Sequence, residues 1–192
     1  TAVQVLPAIA ETAGHVTLFQ REPGWVESKL ERDLTPRERW VYRHVPLAQR
    51  LHRYWLFWKA NRRFRGYDKG SRMQRRMRQR CLDFIAATVE DPRTRAALTP
   101  DHAWGCKRPI VATTYYAAFN RPNVELVPHA VVSATETGLV DATGAARDFD
   151  AIVFATGFQA QRMLAQLEVT GRGGRRLHDA WADRATAFLG TT

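Results

Sequence analysis

Apolar residues recur along the chain with two different periods, and the change of period divides it into three stretches. At the start Ala2, Val5, Leu6, Ile9 and Ala13 follow the 3.6-residue spacing of a helix, and Gly14 offers a stop before the extended run HVTLFQ at 15–20. The first stretch therefore predicts a helix followed by a strand. Pro7 falls inside the helical pattern, where it is tolerated near a helix start or at a kink, so the helix is expected to begin just upstream of Thr1.

From about 28 to 104 the period is helical throughout. Thr35-Pro36 reads as N-cap and first helical residue, and Pro46 as the opening of a second helix. Leu47, Leu51, Trp55 and Trp58 form one apolar stripe on that second helix, with arginines on the opposite, solvated face. Met73, Met77, Cys81, Phe84, Ile85 and Val89 make a third stripe, expected to be core, and Asp91-Pro92 starts a short helix that ends near Leu98.

Beyond 104 the pattern returns to strands. RPIVAT (108–113), VELVP (124–128), AVVSAT (130–135) and TGLVDA (137–142) predict a meander, with turns at Glu136-Thr137-Gly138 and Thr143-Gly144. It leads into DAIVFATGFQA (150–160), where Ile152, Val153, Phe154 and Ala155 read as a strand buried on both faces. That strand ends in Thr156 and Gly157, so its turn is built of small, uncharged residues. The first and third stretches look like parts of one sheet interrupted by the second.

Composition and charge narrow the class. The 192 residues are 45% hydrophobic, enough for one substantial core. No apolar run approaches the roughly 18 residues of a membrane span, and no basic-then-apolar leader opens the chain. The opening reads as the middle of a larger sequence. Cys81 and Cys106 are too few for a disulfide framework, and the histidine spacing suggests no metal site, which together favour a reducing, cytoplasmic location. The net charge of +10 is uneven: residues 37–80 carry +13 and the remainder −3. This block, with Tyr54, Trp55, Phe57 and Trp58 among its cations, raises nucleic-acid binding as an alternative, but no recognised binding motif accompanies it.

Arg21, directly after the first strand, is the first residue with candidate chemistry. In a doubly wound sheet the residue at the carboxyl end of the second strand reads the ribose: an acid binds a free 2′-hydroxyl, an arginine accommodates a 2′-phosphate. The glycine-rich turn that would precede such a helix is not present in the sequence.

Taken in order, TAVQVLPAIAE…VTLFQREPGW, GCKRPIVATTYYAAFNRPNVELV, DFDAIVFATGF and LHDAWADRATAFLG resemble successive landmarks of the flavin-dependent class B monooxygenases of the Baeyer–Villiger type. The resemblance runs from end to end. It implies an α/β fold, a partial Rossmann-like NADP-binding domain of a flavoprotein with two dinucleotide domains. On that reading residues 1–27 and 105–149 belong to the NADP domain, 28–104 to a helical insertion, and 150–192 to a linker returning to an FAD domain. The implied activity uses NADPH, FAD and O2 to insert one oxygen atom into a ketone through a peroxyflavin, giving an ester or lactone.

The resemblance also assigns roles. Arg21 and Lys107 would bind the 2′-phosphate of NADPH, and Arg108 would sit beside the flavin as a permanently charged electrostatic stabiliser. Ala155, Thr156 and Gly157 match the segment linking the two domains, where small side chains permit close backbone approach. Glu22 departs from the pattern, standing where relatives often carry Thr, and an acid there weakens the expectation of strict NADPH preference. The chain is expected to be a piece of a longer protein and inactive alone. Oxygenation of nitrogen or sulfur remains the alternative within the same chemistry, and a non-enzymatic nucleic-acid-binding protein the alternative outside it.

Overall fold

A computed structural model describes residues 1–29, 32–157 and 167–182, and divides into two compact units, Thr1–Ile152 and Val153–Thr192. The first unit is α/β. Its helices are α1 (Ala2–Ile9), α2 (Pro36–His44), α3 (Ala48–Arg62), α4 (Arg72–Thr88) and α5 (Pro92–Ala97). Its strands are β1 (Val16–Phe19), β2 (Val26–Glu27), β3 (Ile110–Val111), β4 (Val124–Val127), β5 (Val131–Ala134), β6 (Gly138–Asp141) and β7 (Ala146–Asp148). Tyr116–Asn120 forms a 3-10 turn just before β4.

Strands from the two ends of this unit pair in parallel across the helical stretch. β1 lies beside β4 in the register Val16↔Val124 to Phe19↔Val127, and β2 beside β3 with Val26↔Ile110. Parallel pairing requires a long crossover, which residues 28–104 supply as helices. The single interrupted sheet expected from the sequence is resolved into these two separate parallel ladders. The meander is real but shifted: β5, β6 and β7 pair antiparallel in that order, while the predicted meander strand at 124–128 is β4, parallel to β1.

Local chemistry accounts for the helix starts. The Thr35 hydroxyl accepts from the Glu38 amide while the Glu38 carboxylate accepts from the Thr35 amide, a reciprocal capping box with Pro36 in the first turn. Ser71 caps α4 through Gln74 N–H, and Asp91 caps α5 through Thr94 N–H at 2.7 Å. α1 begins at Ala2 with Pro7 inside it; it buries Val3 and Leu6, and the C-cap Ala10 is buried too, while Val5 and Ile9 are only partly covered. It stops before Ala13 because the Asn123 amide donates to the carbonyls of Ala10 (3.0 Å) and Ala13 (2.9 Å), satisfying them from outside.

The core has two parts. Val3 and Leu6 of α1 pack with Val26, Ile85, Val89, Leu98, Tyr115, Tyr116 and Phe119, flanked by Val16, Leu18, Val124 and Leu126. Trp25, Met77, Cys81 and Trp104 form the second cluster. The stripe on α4 is thus core, as its spacing predicts. Burial pushes the Cys81 thiol up to about 12, an inert position for a thiol.

Two expectations are corrected. α3 buries none of its residues: Leu47, Leu51, Trp55 and Trp58 are 55–67% exposed. Its rings find local partners, with Lys59 Nζ 4.6 Å from the Trp55 ring centroid. Pro46 is not its first residue; Leu47, in the left-handed region at φ 63°, precedes Ala48. Second, residues 151–157 form no strand, and Ile152, Val153 and Phe154 are exposed, Phe154 at 79%. A strand needs at least one hydrogen-bonded neighbour, and no described strand pairs with this run.

In the second unit, a bridge between Thr170 and Arg176 closes a turn over Arg172–Gly174, and α6 (Leu177–Trp181) follows.

Candidate functional site

The site candidates in the first unit are brought together by the β2–β3 ladder. β1 runs out at Gln20, whose amide donates to Val127 O at 2.9 Å, and the chain leaves the sheet with Arg21 and Glu22 exposed. It is then pinned at Trp25, which is buried and donates its indole N–H to the His102 carbonyl at 3.0 Å. Ile110 N–H donates to Trp25 O (2.8 Å) and Ala112 N–H to Glu27 O (2.9 Å), so residues 102–112 run alongside 25–27. Lys107 consequently falls beside Glu22.

Lys107 Nζ donates to the Glu22 carboxylate, an ion pair between residues 85 apart in sequence. The hydrogen bond from Lys107, then its charge, holds the Glu22 carboxyl below its ordinary range, and Arg21 acts in the same direction. Both partners are more than half exposed, so the pair positions charge more than it stabilises the fold. The turn presenting Lys107 depends on Gly105, at φ +85°, where a Cβ would also lie 3.0 Å from the Tyr67 ring.

Arg108 lines a cavity of about 230 Å³ whose walls include Glu27, Arg63, Phe64, Tyr67 and Trp104. Glu27 is held there by an ion pair with Arg63. The Tyr67 and Trp104 rings meet with centroids 5.3 Å apart. Arg108 therefore borders a recess with aromatic and charged walls, one residue from the Lys107–Glu22 pair.

Arg21, Glu22, Lys107 and Arg108 thus share one edge of the first unit. Ala155, Thr156 and Gly157 belong to the second unit and are exposed. Gly157 adopts φ +96°, which explains the glycine by conformation; no described atom crowds the position a Cβ would take. Sequence reasoning missed Glu27, Arg63, Trp25 and His102. β2 is only two residues long, Val26 and Glu27, too short a strand signal to stand out in the sequence.

No known protein-family profile matches the chain. Over its full length it is 33% identical to a Baeyer–Villiger monooxygenase of Pseudomonas aeruginosa, covering 36% of that protein, and 34% identical to one of Streptomyces coelicolor, covering 37%. Among solved structures it is similar to oxidized steroid monooxygenase bound to NADP, with a TM-score of 0.71, 30% identity, and 98% of this chain aligned to 43% of that one. A complex of OTEMO with FAD and NADP aligns with a TM-score of 0.75 at 25% identity, over 98% of this chain and 42% of that one.

The fold is α/β, and the relatives it matches are monooxygenases. From end to end the chain is similar to a segment of proteins named Baeyer–Villiger monooxygenase and FAD-binding monooxygenase, and it spans about a third of the length of the curated relatives it matches.

Proposed function

We propose that residues 1–27 and 105–149 are Rossmann-like parts of an NADP-binding domain, with 28–104 as its helical insertion, in an NADPH- and FAD-dependent monooxygenase. The whole protein would insert one atom of O2 into a ketone, giving an ester or lactone. The relatives' names and the NADP- and FAD-bound neighbours support this reading. The observation that carries it is the Lys107–Glu22 contact, which sets Lys107 within one residue of Arg21 across 85 positions of sequence.

The residues present fit the phosphate of such a cofactor. Arg21 offers a planar, always-charged fork and Lys107 a mobile ammonium, both exposed on one edge. When bound, the two cofactors would supply hydride transfer and oxygen activation. Arg108, beside its recess, holds a fixed positive charge that cannot be lost near neutral pH, and so stabilises negative charge developing next to it. Arg63 holds Glu27 at the wall of the same recess, which keeps that carboxylate from neutralising Arg108.

The test is Arg108→Ala in the complete protein, assayed for ester or lactone formation from ketones with NADPH. The expected result is a loss of at least about a hundredfold in product formation, with adenosine 2′,5′-bisphosphate binding retained. Undiminished ester formation would remove the assigned role.

A further inference from the structure

On the reading that Arg21 and Lys107 receive a 2′-phosphate, an acid between them works against the task. Glu22 follows Arg21 directly, and its carboxylate accepts from the Lys107 ammonium. The three side chains together present one net positive charge, where Arg21 and Lys107 alone would present two. A phosphate monoester carries about −1.5 to −2 at pH 7, so on arrival it must draw Lys107 away from Glu22 or share it, and in both cases it lies beside a like charge. A free 2′-hydroxyl meets the opposite situation. It can donate to a carboxylate that Lys107 already holds in place, the interaction by which an acid at a strand end reads an unphosphorylated ribose.

The geometry points to Glu22 as a specificity-determining residue: by occupying Lys107, it makes the site accept a ribose with or without a 2′-phosphate, with little discrimination between them. This goes beyond the cofactor assignment and rests on it. It concerns only the chain's own charges, all in the first unit. Because Glu22 is exposed, replacing it with glutamine keeps its size and leaves the fold intact.

Calorimetric titration at low ionic strength tests it, with adenosine 2′,5′-bisphosphate and adenosine 5′-monophosphate as probes. The protein is compared with Glu22→Gln, Lys107→Gln and the double variant. The parent protein is expected to prefer the bisphosphate by less than about tenfold, and Glu22→Gln to raise that preference about fivefold, the effect of one nearby charge in a largely aqueous setting. The gain should shrink when Lys107 is also replaced, leaving only the relief of repulsion from the Glu22 charge. An unchanged preference in Glu22→Gln, with both probes still bound, would overturn the role of Glu22 while leaving the cofactor reading in place. A gain of undiminished size without Lys107 would overturn the route through that lysine. Binding of neither probe to any variant would bring down the cofactor reading itself, and this inference with it.

Discussion

The indole N–H of Trp25 donates to the carbonyl oxygen of His102 at 3.0 Å, joining residues 77 apart. Trp25 is 1% exposed and stacks edge-on to the His102 ring at 6.3 Å, so this contact is a buried clamp between the end of the β1 segment and the turn carrying Lys107 and Arg108. Trp25→Phe keeps most of the apolar area and removes the donor. It should lower stability by about 1–3 kcal/mol in urea denaturation, because the acceptor is left without its partner. The same variant should weaken adenosine 2′,5′-bisphosphate binding, since the turn that sets Lys107 against Glu22, the neighbour of Arg21, loses its anchor.

Gly138 in β6 faces the opposing strand so closely that a Cβ would overlap the Arg147 carbonyl oxygen. Gly138→Ala should cost roughly 3 kcal/mol by forcing the β6–β7 ladder apart. Thermal unfolding measures it. Gly144→Ala makes a useful comparison, since its neighbourhood is open and only its positive φ is strained.

Asp141 anchors the meander. It is buried and accepts from Thr143 N–H, the Thr143 hydroxyl, Ala145 N–H and Arg147. The hydrogen bonds from Thr143, then from Arg147, hold its carboxyl far below the usual carboxylate range. A carboxyl depressed in the folded state adds stability above its unfolded value near 4, and that stability is lost as pH falls through the folded value. Acid unfolding followed by circular dichroism should therefore show stability declining below about pH 4. Asp141→Asn should reduce stability at neutral pH and flatten that acid limb.

The two cysteines should behave oppositely. Cys106 is exposed beside Lys107, whereas Cys81 is buried with its thiol raised to about 12. Under native conditions an aromatic disulfide reagent should modify Cys106 alone, and Cys106→Ser should abolish the fast reaction. Bound adenosine 2′,5′-bisphosphate should slow it.

Where the determinants are local, the sequence sufficed. Thr35-Pro36, Asp91-Pro92 and the Met73–Val89 stripe predict α2, α5 and α4 closely, because a cap and an apolar face are properties of neighbouring residues. The failures share one cause. Periodicity reports that a face is apolar, not that something covers it, so the stripe of α3 and the run at 152–155 were assigned burial they do not have here. Pairing across distance was equally invisible: nothing in VELVP shows that it runs parallel to β1 instead of antiparallel to its neighbour. Within the site, Arg21 is legible from its place after a strand, Lys107 and Arg108 only through motif resemblance, and the Glu22–Lys107 and Glu27–Arg63 pairs needed coordinates because they join segments 85 and 36 positions apart.

The central claim is that Arg21 and Lys107 together receive a phosphate on a ribose. It is tested most directly by titrating adenosine 2′,5′-bisphosphate into the protein and into the Arg21→Ala, Lys107→Ala double variant. Losing both cations should weaken bisphosphate binding by about tenfold and abolish its preference over adenosine 5′-monophosphate, whose own affinity should change far less. Equal affinity of the two proteins for the bisphosphate would contradict the account.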